Sequence, residues 1–305
     1  MTENILYLEG GSGISGDMTV AALLDLGADE RYLRAQVEKL PIDHYQMITG
    51  RTKKKGIDSM TFHVEVGEEH QPHRTYKDIQ NMIMESSMDR PVKELAVKIF
   101  HILAQAEGKV HGSPADHVHF HEVGAVDSIV DIVGTAACIC SLGVKETAIG
   151  TLREGCGSVK CQHGWMAVPV PAVTELISAW GLPVSLTDTK GEMITPTGAA
   201  IAAALRTREL PAEMEIVKVG IGAGEKDFDH PNILRAMLVS EVKKESDVWV
   251  LESNVDDCTG EQLGFLQEQL FAAGVKDVVF VPAYMKKNRP GYLMQVICGD
   301  DTAER

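Results

Sequence analysis

The sequence predicts a mixed α/β protein with an N-terminal α/β domain and an incomplete ferredoxin-like β-α-β-β domain. Short apolar β-like runs are interleaved with helical periods over most of the chain. A polar run, KKESD at residues 243–247, then resembles a linker. The residues after it follow the order strand, helix, strand, strand, which is typical of the first part of a ferredoxin-like fold. We therefore expect domains at residues 1–243 and 247–305.

The N-terminal elements are expected to be a strand, a glycine-rich loop and a helix, in that order. The strand is predicted at residues 5–8, the loop at 10–16 and the helix at 17–27. Asp29 is positioned to cap a second helix. Further helices are predicted by their period at residues 76–85, 92–110, 128–142, 172–180 and 195–205.

The second domain is expected to contain strands and one helix but to lack its final elements. The strands are predicted at residues 248–253, 277–282 and 292–298, and the helix at 261–273. No further helix and strand follow before Arg305. We therefore expect this domain to be truncated, with an exposed sheet edge unless another chain covers it.

Composition limits the classes of function. The 305 residues are 44% hydrophobic and carry a formal net charge of −15, which argues against a nucleic-acid polymer as partner because phosphate neutralisation needs a basic face. No uncharged apolar stretch is long enough to span a membrane, and the N-terminus lacks the pattern of a signal peptide. The six cysteines show no CxxC spacing, so we expect reduced thiols in a cytoplasmic protein.

The densest group of metal-binding side chains lies between residues 117 and 131. Alternate residues of an extended segment point to one side, so three histidines at 117, 119 and 121 can converge there. Imidazole and carboxylate ligands together suit nickel, zinc, copper and iron. The predicted metal ligands are His117, His119, His121, Glu122 and Asp127. Alternatively, Asp127 and Asp131 serve only the N-terminus of the helix that follows.

The glycine-rich loop is a second candidate site. Its glycines allow backbone N–H groups to approach an anion, and the helix behind it adds a favourable dipole. Asp17 would repel a phosphate unless a divalent ion lay between them, so we predict a metal-linked catalytic role for Asp17 together with Glu122 and Asp127. The predicted cofactor-binding residues of the loop are Ser12, Gly13, Ser15 and Gly16. A tight turn between strand and helix explains the same pattern.

Two further regions have less specific patterns. Cys156 is a conceivable soft metal ligand in a glycine-rich stretch, and Thr195 begins a helix whose free N–H groups can hold an anion. Residues 220–224 are expected to form a flexible polar loop.

A basic turn in the second domain is a candidate nucleotide site. Lys286, Lys287 and Arg289 lie close together in an otherwise acidic chain, where they can bind a polyphosphate. Asp256 and Asp257 can hold the accompanying divalent ion. The alternative is a solvated hairpin tip.

Several long strings together resemble one family. They are SGISGDM (12–18), HRTYKDI (73–79), HFHEVGAVDSIVDIVG (119–134), VPVPA (168–172), TPTGAA (195–200), PNILR (231–235) and MKKNRPG (285–291). The chain is similar over nearly its whole length to the nickel insertion proteins of nickel-pincer cofactor biosynthesis, the cyclometallases that mature the cofactor of lactate racemase. It departs from the family in having Glu9, Gly10 and Gly11 before the first string, and in ending before a typical member does.

This resemblance implies a specific reaction. Family members insert Ni²⁺ into a pyridinium bis-thiocarboxylate mononucleotide, forming one nickel–carbon and two nickel–sulfur bonds. They consume CTP with Mg²⁺ or Mn²⁺, and by carry-over the three cations of the basic turn would meet the CTP phosphates. A separate C-terminal fragment of the same family and a second copy of the chain are conceivable partners. Non-catalytic nickel delivery and a metal-dependent phosphohydrolase are the alternative functions.

Overall fold

The computed structural model describes residues 4–67, 74–118, 120, 125–161, 164–242 and 248–303. The chain divides into two compact units, Met1–Glu241 and Val242–Arg305. In the described part of the chain, no helix is both long enough and apolar enough to cross a membrane.

The first unit combines helices with one main sheet and two small sheets. Its helices are α1 (Gly16–Leu26), α2 (Glu30–Val37), α3 (Tyr76–Glu85), α4 (Arg90–His111), α5 (Val126–Leu142), α6 (Pro171–Trp180) and α7 (Pro196–Leu205). Its strands are β1 (Ile5–Glu9), β2 (Tyr45–Lys54), β3 (Ile57–Val66), β4 (Glu146–Ile149), β5 (Leu152–Cys156), β6 (Ser158–Cys161), β7 (Gly164–Ala167), β8 (Val184–Lys190), β9 (Met214–Ala223) and β10 (Ile233–Glu241).

The main sheet has the order β2-β3-β9-β10-β1-β4. Strand β1 pairs antiparallel with β10 and parallel with β4, so the first strand of the chain lies inside the sheet. Strands β5 and β8 pair in parallel, and β6 with β7 forms a separate hairpin. The glycine-rich loop leaves the sheet at the end of β1.

Helix α1 packs on β9 because that strand has glycines where it meets the helix. A Cβ at Gly220 would overlap the backbone of Leu26 and Ala22, and one at Gly222 would overlap the Met18 carbonyl. Residues two apart in a strand face the same side, so both glycines lie on the face towards α1. The prediction of a flexible loop at residues 220–224 was therefore wrong, because β9 continues to Ala223. Its glycines serve close packing.

Helix α5 lies in the core and is apolar on most of its surface, with fully buried residues such as Ile129, Val133 and Ala137. It begins at Val126, two residues before the predicted start, with Ala125 as its N-cap. Asp127 therefore lies inside the first turn and does not cap the helix. Its Oδ1 accepts a hydrogen bond of 2.7 Å from the backbone N–H of the next residue.

Two other helix starts agree with the predictions. The side chain of Asp29 accepts hydrogen bonds from the N–H groups of Arg31 and Tyr32 at the start of α2. The hydroxyl of Thr195 accepts one from Gly198 at the start of α7. Each cap satisfies N–H groups that have no partner within the helix.

The second unit has the β-α-β-β order that the sequence predicts. Its elements are β11 (Val248–Val255), α8 (Gly260–Ala272), β12 (Asp277–Met285), β13 (Arg289–Gly299) and α9 (Asp300–Ala303). The sheet is antiparallel with the order β11-β13-β12. Thr259 and Gln262 form a capping box at the start of α8.

Candidate functional site

The glycine-rich loop between β1 and α1 is fixed by pairing with the segment before α7. The N–H of Ile14 donates to the Met193 carbonyl, and the N–H of Thr195 donates to the Ile14 carbonyl, both at 3.0 Å. Gly13 has a φ of +83°, and a Cβ there would overlap the Met193 backbone. A side chain at residue 13 would therefore separate the two segments.

The same contacts bring the starts of three helices together. Gly198, in the first turn of α7, approaches the Ile14 carbonyl so closely that a Cβ would overlap it. Gly16, at the start of α1, lies equally close to the carboxylate of Asp131 on α5. Helix N-termini favour negative charge, which offsets part of the cost of placing carboxylates at this junction.

Carboxylates surround a cleft of about 320 Å³ at this junction, here called the acidic cleft. The carboxylate side chains that line it are Asp17, Asp127, Asp131, Glu192 and Glu225. His63, Lys226, Phe228 and Asn232 also contribute to its walls. One imidazole and one ammonium do not balance five carboxylates, so the cleft favours cations.

Asp17 and Asp131, two of these carboxylates, have raised pKa values. Burial raises the pKa of Asp131 well above its ordinary value, and the charges of Asp17, Asp127 and Glu225 raise it further, while a hydrogen bond from the Asp17 amide opposes the shift. The pKa of Asp17 is also raised, mainly by burial, although a hydrogen bond from the Ser15 hydroxyl opposes the rise. A divalent cation at this position would relieve the repulsion.

Sequence reasoning missed several residues of the cleft. His63 on β3 places its Nδ1 2.8 Å from Oε1 of Glu225, which follows β9. Lys226 lies 3.4 Å from a carboxylate oxygen of Glu192. These residues come from elements far apart in the chain, and no local motif marks them. Only the fold brings them to the loop.

Glu154 is a further missed residue, with a supporting role. Its carboxylate is fully buried and accepts hydrogen bonds from the N–H groups of Gly155, Met193 and Ile194. Burial raises the pKa of Glu154, and these three hydrogen bonds oppose the rise. The interaction holds the segment that pairs with Ile14.

The predicted metal ligands fall into two groups. Asp127 and Asp17 both line the acidic cleft, and their role at a metal stays a prediction. His119, His121 and Glu122 lie outside the described residues, as does the side chain of His117. Their assignment to the metal stays a prediction. Among the described residues, no three His, Cys, Asp or Glu side chains already form a metal-binding group.

The predicted anion-binding residues of the loop have partners within the protein. The Ser12 hydroxyl donates to the Pro231 carbonyl at 2.6 Å, and the Gly13 N–H donates to the Gly10 carbonyl at 3.0 Å. Ser15 and Gly16 lie against the carboxylates of α1 and α5. A role for these four residues in binding a cofactor stays a prediction.

In the second unit, the basic turn connects β12 and β13. Lys286, Lys287 and Arg289 are all exposed, and Lys287 has a φ of +65°. The guanidinium of Arg289 lies 3.8 Å from a carboxylate oxygen of Asp256. This places a cation of the turn beside a carboxylate predicted to hold a divalent ion.

The fold and the cleft define an α/β protein with an anionic cleft at a junction of helix N-termini. Its family is shown by comparison with known proteins. The model of the nickel insertion protein family matches residues 6–305. The chain belongs to this family, which confirms the resemblance drawn from the sequence.

Curated relatives agree with this assignment. The pyridinium-3,5-bisthiocarboxylic acid mononucleotide nickel insertion protein of Alkaliphilus metalliredigens is 47% identical, over 97% of this chain and 78% of the relative. A putative nickel insertion protein of Geotalea uraniireducens is 47% identical, over 97% and 77% of the two chains. One of Geobacter metallireducens is 48% identical, over 96% and 76%. No solved structure matches the chain.

Proposed function

We propose that this chain is an enzyme that inserts Ni(II) into pyridinium-3,5-bisthiocarboxylic acid mononucleotide in a CTP-dependent cyclometallation. Family membership and the name of the Alkaliphilus relative support the reaction. The observation in the structure that supports it most is the acidic cleft, where carboxylates of α1 and α5 meet.

Asp17, Asp127 and Asp131 are proposed to receive the nickel ion, which is a substrate here. The precursor itself offers two sulfur atoms and one carbon to the metal, so the protein needs only a partial ligand set. A site that completed the coordination would retain the ion, whereas an open one can release it. In the sequence, Asp127 follows shortly after His119, His121 and Glu122. We propose these three residues as further nickel ligands.

One carboxylate must also accept a proton. When a nickel–carbon bond replaces a carbon–hydrogen bond, the carbon's electron pair goes to nickel and the proton leaves. Asp17 has a raised pKa and lies in the cleft, so its carboxylate is suited to take that proton. Glu122 and Asp127 are the other proposed bases.

The basic turn of the second unit is proposed to bind the CTP phosphates. Lys286, Lys287 and Arg289 would contact the phosphate oxygens, while Asp256 and Asp257 would hold Mg²⁺ or Mn²⁺. Guanidinium and ammonium groups bind phosphate through charge-assisted hydrogen bonds, which are stronger than neutral ones.

The test is an insertion assay with the purified chain, precursor, Ni²⁺, CTP and Mn²⁺, read by mass spectrometry of the small-molecule product. We expect nickel-containing product from the native chain and none from Asp17→Asn, with Asp43→Asn as a surface control. Nickel binding without product and without CTP turnover would indicate delivery in place of catalysis. Cleavage of phosphate esters without a nickel acceptor would indicate a phosphohydrolase.

A further inference from the structure

A second cavity, of about 770 Å³, lies in the first unit next to the acidic cleft. The two cavities share Met193 in their walls. The side chains that characterise the second one, here called the arginine–hydroxyl pocket, are Arg153, Arg235, Ser185, Thr187, Thr189 and His230. The guanidinium and hydroxyl groups can donate hydrogen bonds to an oxyanion, although the carboxylate of Glu9 also lines the cavity.

The hydroxyl groups of this pocket form a row along β8. Ser185, Thr187 and Thr189 are two residues apart, so they lie on one face of the strand. Arg153 on β5 is the register partner of Ser185 in the parallel pair. The arrangement places a guanidinium at one end of a row of hydroxyls, of which that of Thr187 donates to the Met193 sulfur at 3.8 Å.

The two arginines differ in their pairing. Arg235 forms an ion pair with Glu9, its register partner across β1 and β10. Arg153 is exposed, and no carboxylate in the described part of the chain pairs with it. Its backbone N–H donates to the Gly10 carbonyl at 3.0 Å, which holds it beside the glycine-rich loop. An unpaired guanidinium can bind a phosphate through two parallel hydrogen bonds.

His230 adds a polar atom that lacks a partner. Its Nε2 is buried in the structure without a hydrogen-bond partner among the described residues. Leaving such an atom unpaired costs free energy. The imidazole stacks on Phe228, with ring centroids 5.4 Å apart and planes 17° apart. Phe228 lines the acidic cleft, so the stacked pair connects the walls of the two cavities.

We propose that the arginine–hydroxyl pocket binds the phosphate of a pyridinium mononucleotide whose ring lies towards the acidic cleft. This assignment rests on the proposed function, because it concerns the same substrate. Arg153 and Arg235 fit the anionic phosphate. The two thiocarboxylates of the precursor outweigh the positive charge of its ring, so this ring would meet the cleft through the nickel ion proposed to lie there, whereas the simple pyridinium ring of nicotinamide mononucleotide would meet the carboxylates directly. A cytidine nucleotide shares the phosphate but lacks the pyridinium ring.

The test is calorimetric titration of the full chain with nicotinamide mononucleotide, a pyridinium ribose phosphate. Arg153→Gln is expected to weaken binding at least about tenfold, or ~1.4 kcal/mol. The affinity of Arg153→Lys should lie between those of the native chain and Arg153→Gln, because lysine keeps the charge but loses the paired hydrogen bonds. The matched control is Arg31→Gln, since Arg31 is also exposed but lies on α2, away from the pocket. Equal affinity of Arg153→Gln and the native chain overturns the proposal.

Two further ligands test which chemical group the pocket recognises. Nicotinamide riboside, which lacks the phosphate, should bind at least tenfold more weakly than the mononucleotide, and equal binding of the two overturns the proposal. CMP should bind more weakly than nicotinamide mononucleotide. If CMP binds as well, with the same dependence on Arg153, the pocket serves cytidine nucleotides and the assignment to a pyridinium ligand is wrong.

Glu9→Gln is expected to increase the affinity of the chain for the mononucleotide. It removes the carboxylate that pairs with Arg235 and repels phosphate, so the mononucleotide should bind several-fold more tightly. Weaker binding would contradict the proposal.

Insertion assays separate this proposal from the proposed function. If Arg153→Gln inserts nickel with an unchanged KM for the precursor, the assignment of the pocket alone is refuted. Mononucleotide binding that depends on Arg153, without any insertion, refutes the function.

Discussion

The acidic cleft and the arginine–hydroxyl pocket are neighbours in the first unit, but different parts of the fold build them. The cleft lies where α1, α5 and α7 begin, and its carboxylates come mainly from the first turns of the helices and from the loops beside them. The pocket lies on the faces of strands, where alternation brings hydroxyls and arginines to one side. Charges of opposite sign thus lie on the two sides of Met193.

This difference teaches how one fold can present two electrostatic environments to a single ligand. Helix starts concentrate negative side chains at one point, whereas a strand face spreads donors along a line. The loop at residues 10–15 and the segment before α7 belong to both, since Ser12 lines the pocket and Ser15 lines the cleft. Substitutions can therefore separate the two sites or disable both.

The largest expected effect separates the acidic cleft from the arginine–hydroxyl pocket. The double variant Asp17→Asn/Asp131→Asn removes two charges from the cleft and should weaken Ni²⁺ binding at least about 100-fold, or ~2.7 kcal/mol. Binding of nicotinamide mononucleotide should weaken by only a few fold, because its ring loses part of the negative charge of the cleft while its phosphate keeps both arginines. Equilibrium dialysis with nickel measures the first effect and calorimetry the second. Native nickel affinity in this variant would remove the cleft from the nickel role.

The next effect damages both sites. Glu154→Ala leaves the N–H groups of Gly155, Met193 and Ile194 without their buried acceptor. We expect a loss of about 2–3 kcal/mol in the free energy of unfolding, since a buried unsatisfied polar group costs about 1–3 kcal/mol. Urea denaturation measures this, and nickel and mononucleotide binding should weaken together. Loss of only one would show that the shared segment does not couple the sites.

A smaller expected effect is an increase in the free energy of unfolding, caused by a substitution of Asp131. The pKa of Asp131 is raised in the folded state, so the folded protein holds this proton more tightly than the unfolded chain does. The free energy of unfolding therefore falls as the pH rises from about 4, the ordinary aspartate value, through the folded pKa. Asp131→Asn should flatten this slope and make the metal-free protein more stable at pH 7 than the native chain, because the variant has no buried charge to form.

Thermal denaturation of the chelator-treated protein at pH 4 and pH 7 measures that change. The native chain and the variant should differ at pH 7 and agree more closely at pH 4. Asp127→Asn is a comparison variant, because Asp127 is exposed at the same helix start. A variant less stable than the native chain at pH 7 would show that the Asp131 charge is favourable in the fold.

The smallest effect asks whether two cationic sites bind different nucleotides. Lys287→Gln in the basic turn should weaken CTP binding about fivefold, or ~1 kcal/mol, and leave nicotinamide mononucleotide binding unchanged. Arg153→Gln should show the reverse pattern. Calorimetry with both ligands and Mn²⁺ provides the measurement. If both variants lose CTP affinity equally, the distinction between the turn and the pocket fails.

The elements of this fold were largely predictable from local patterns. The period and start of α3, the cap at Asp29 and the β-α-β-β order of the second unit are confirmed by the structure. Strand β9 was missed because Gly220 and Gly222 are typical of loops when no packing partner is known. These two glycines are needed for close packing against α1, which is far away in the chain.

The sequence alone determined the family, the glycine-rich loop with Asp17 behind it, and the positive charge of the basic turn, because these depend on neighbouring residues and on matching strings. Only the tertiary structure decided which charges meet. Asp17 reaches Asp131 through the contact of α1 with α5, and His63 reaches Glu225 through the order of the sheet. Such contacts depend on the packing of distant elements, and local periodicity contains no information about them.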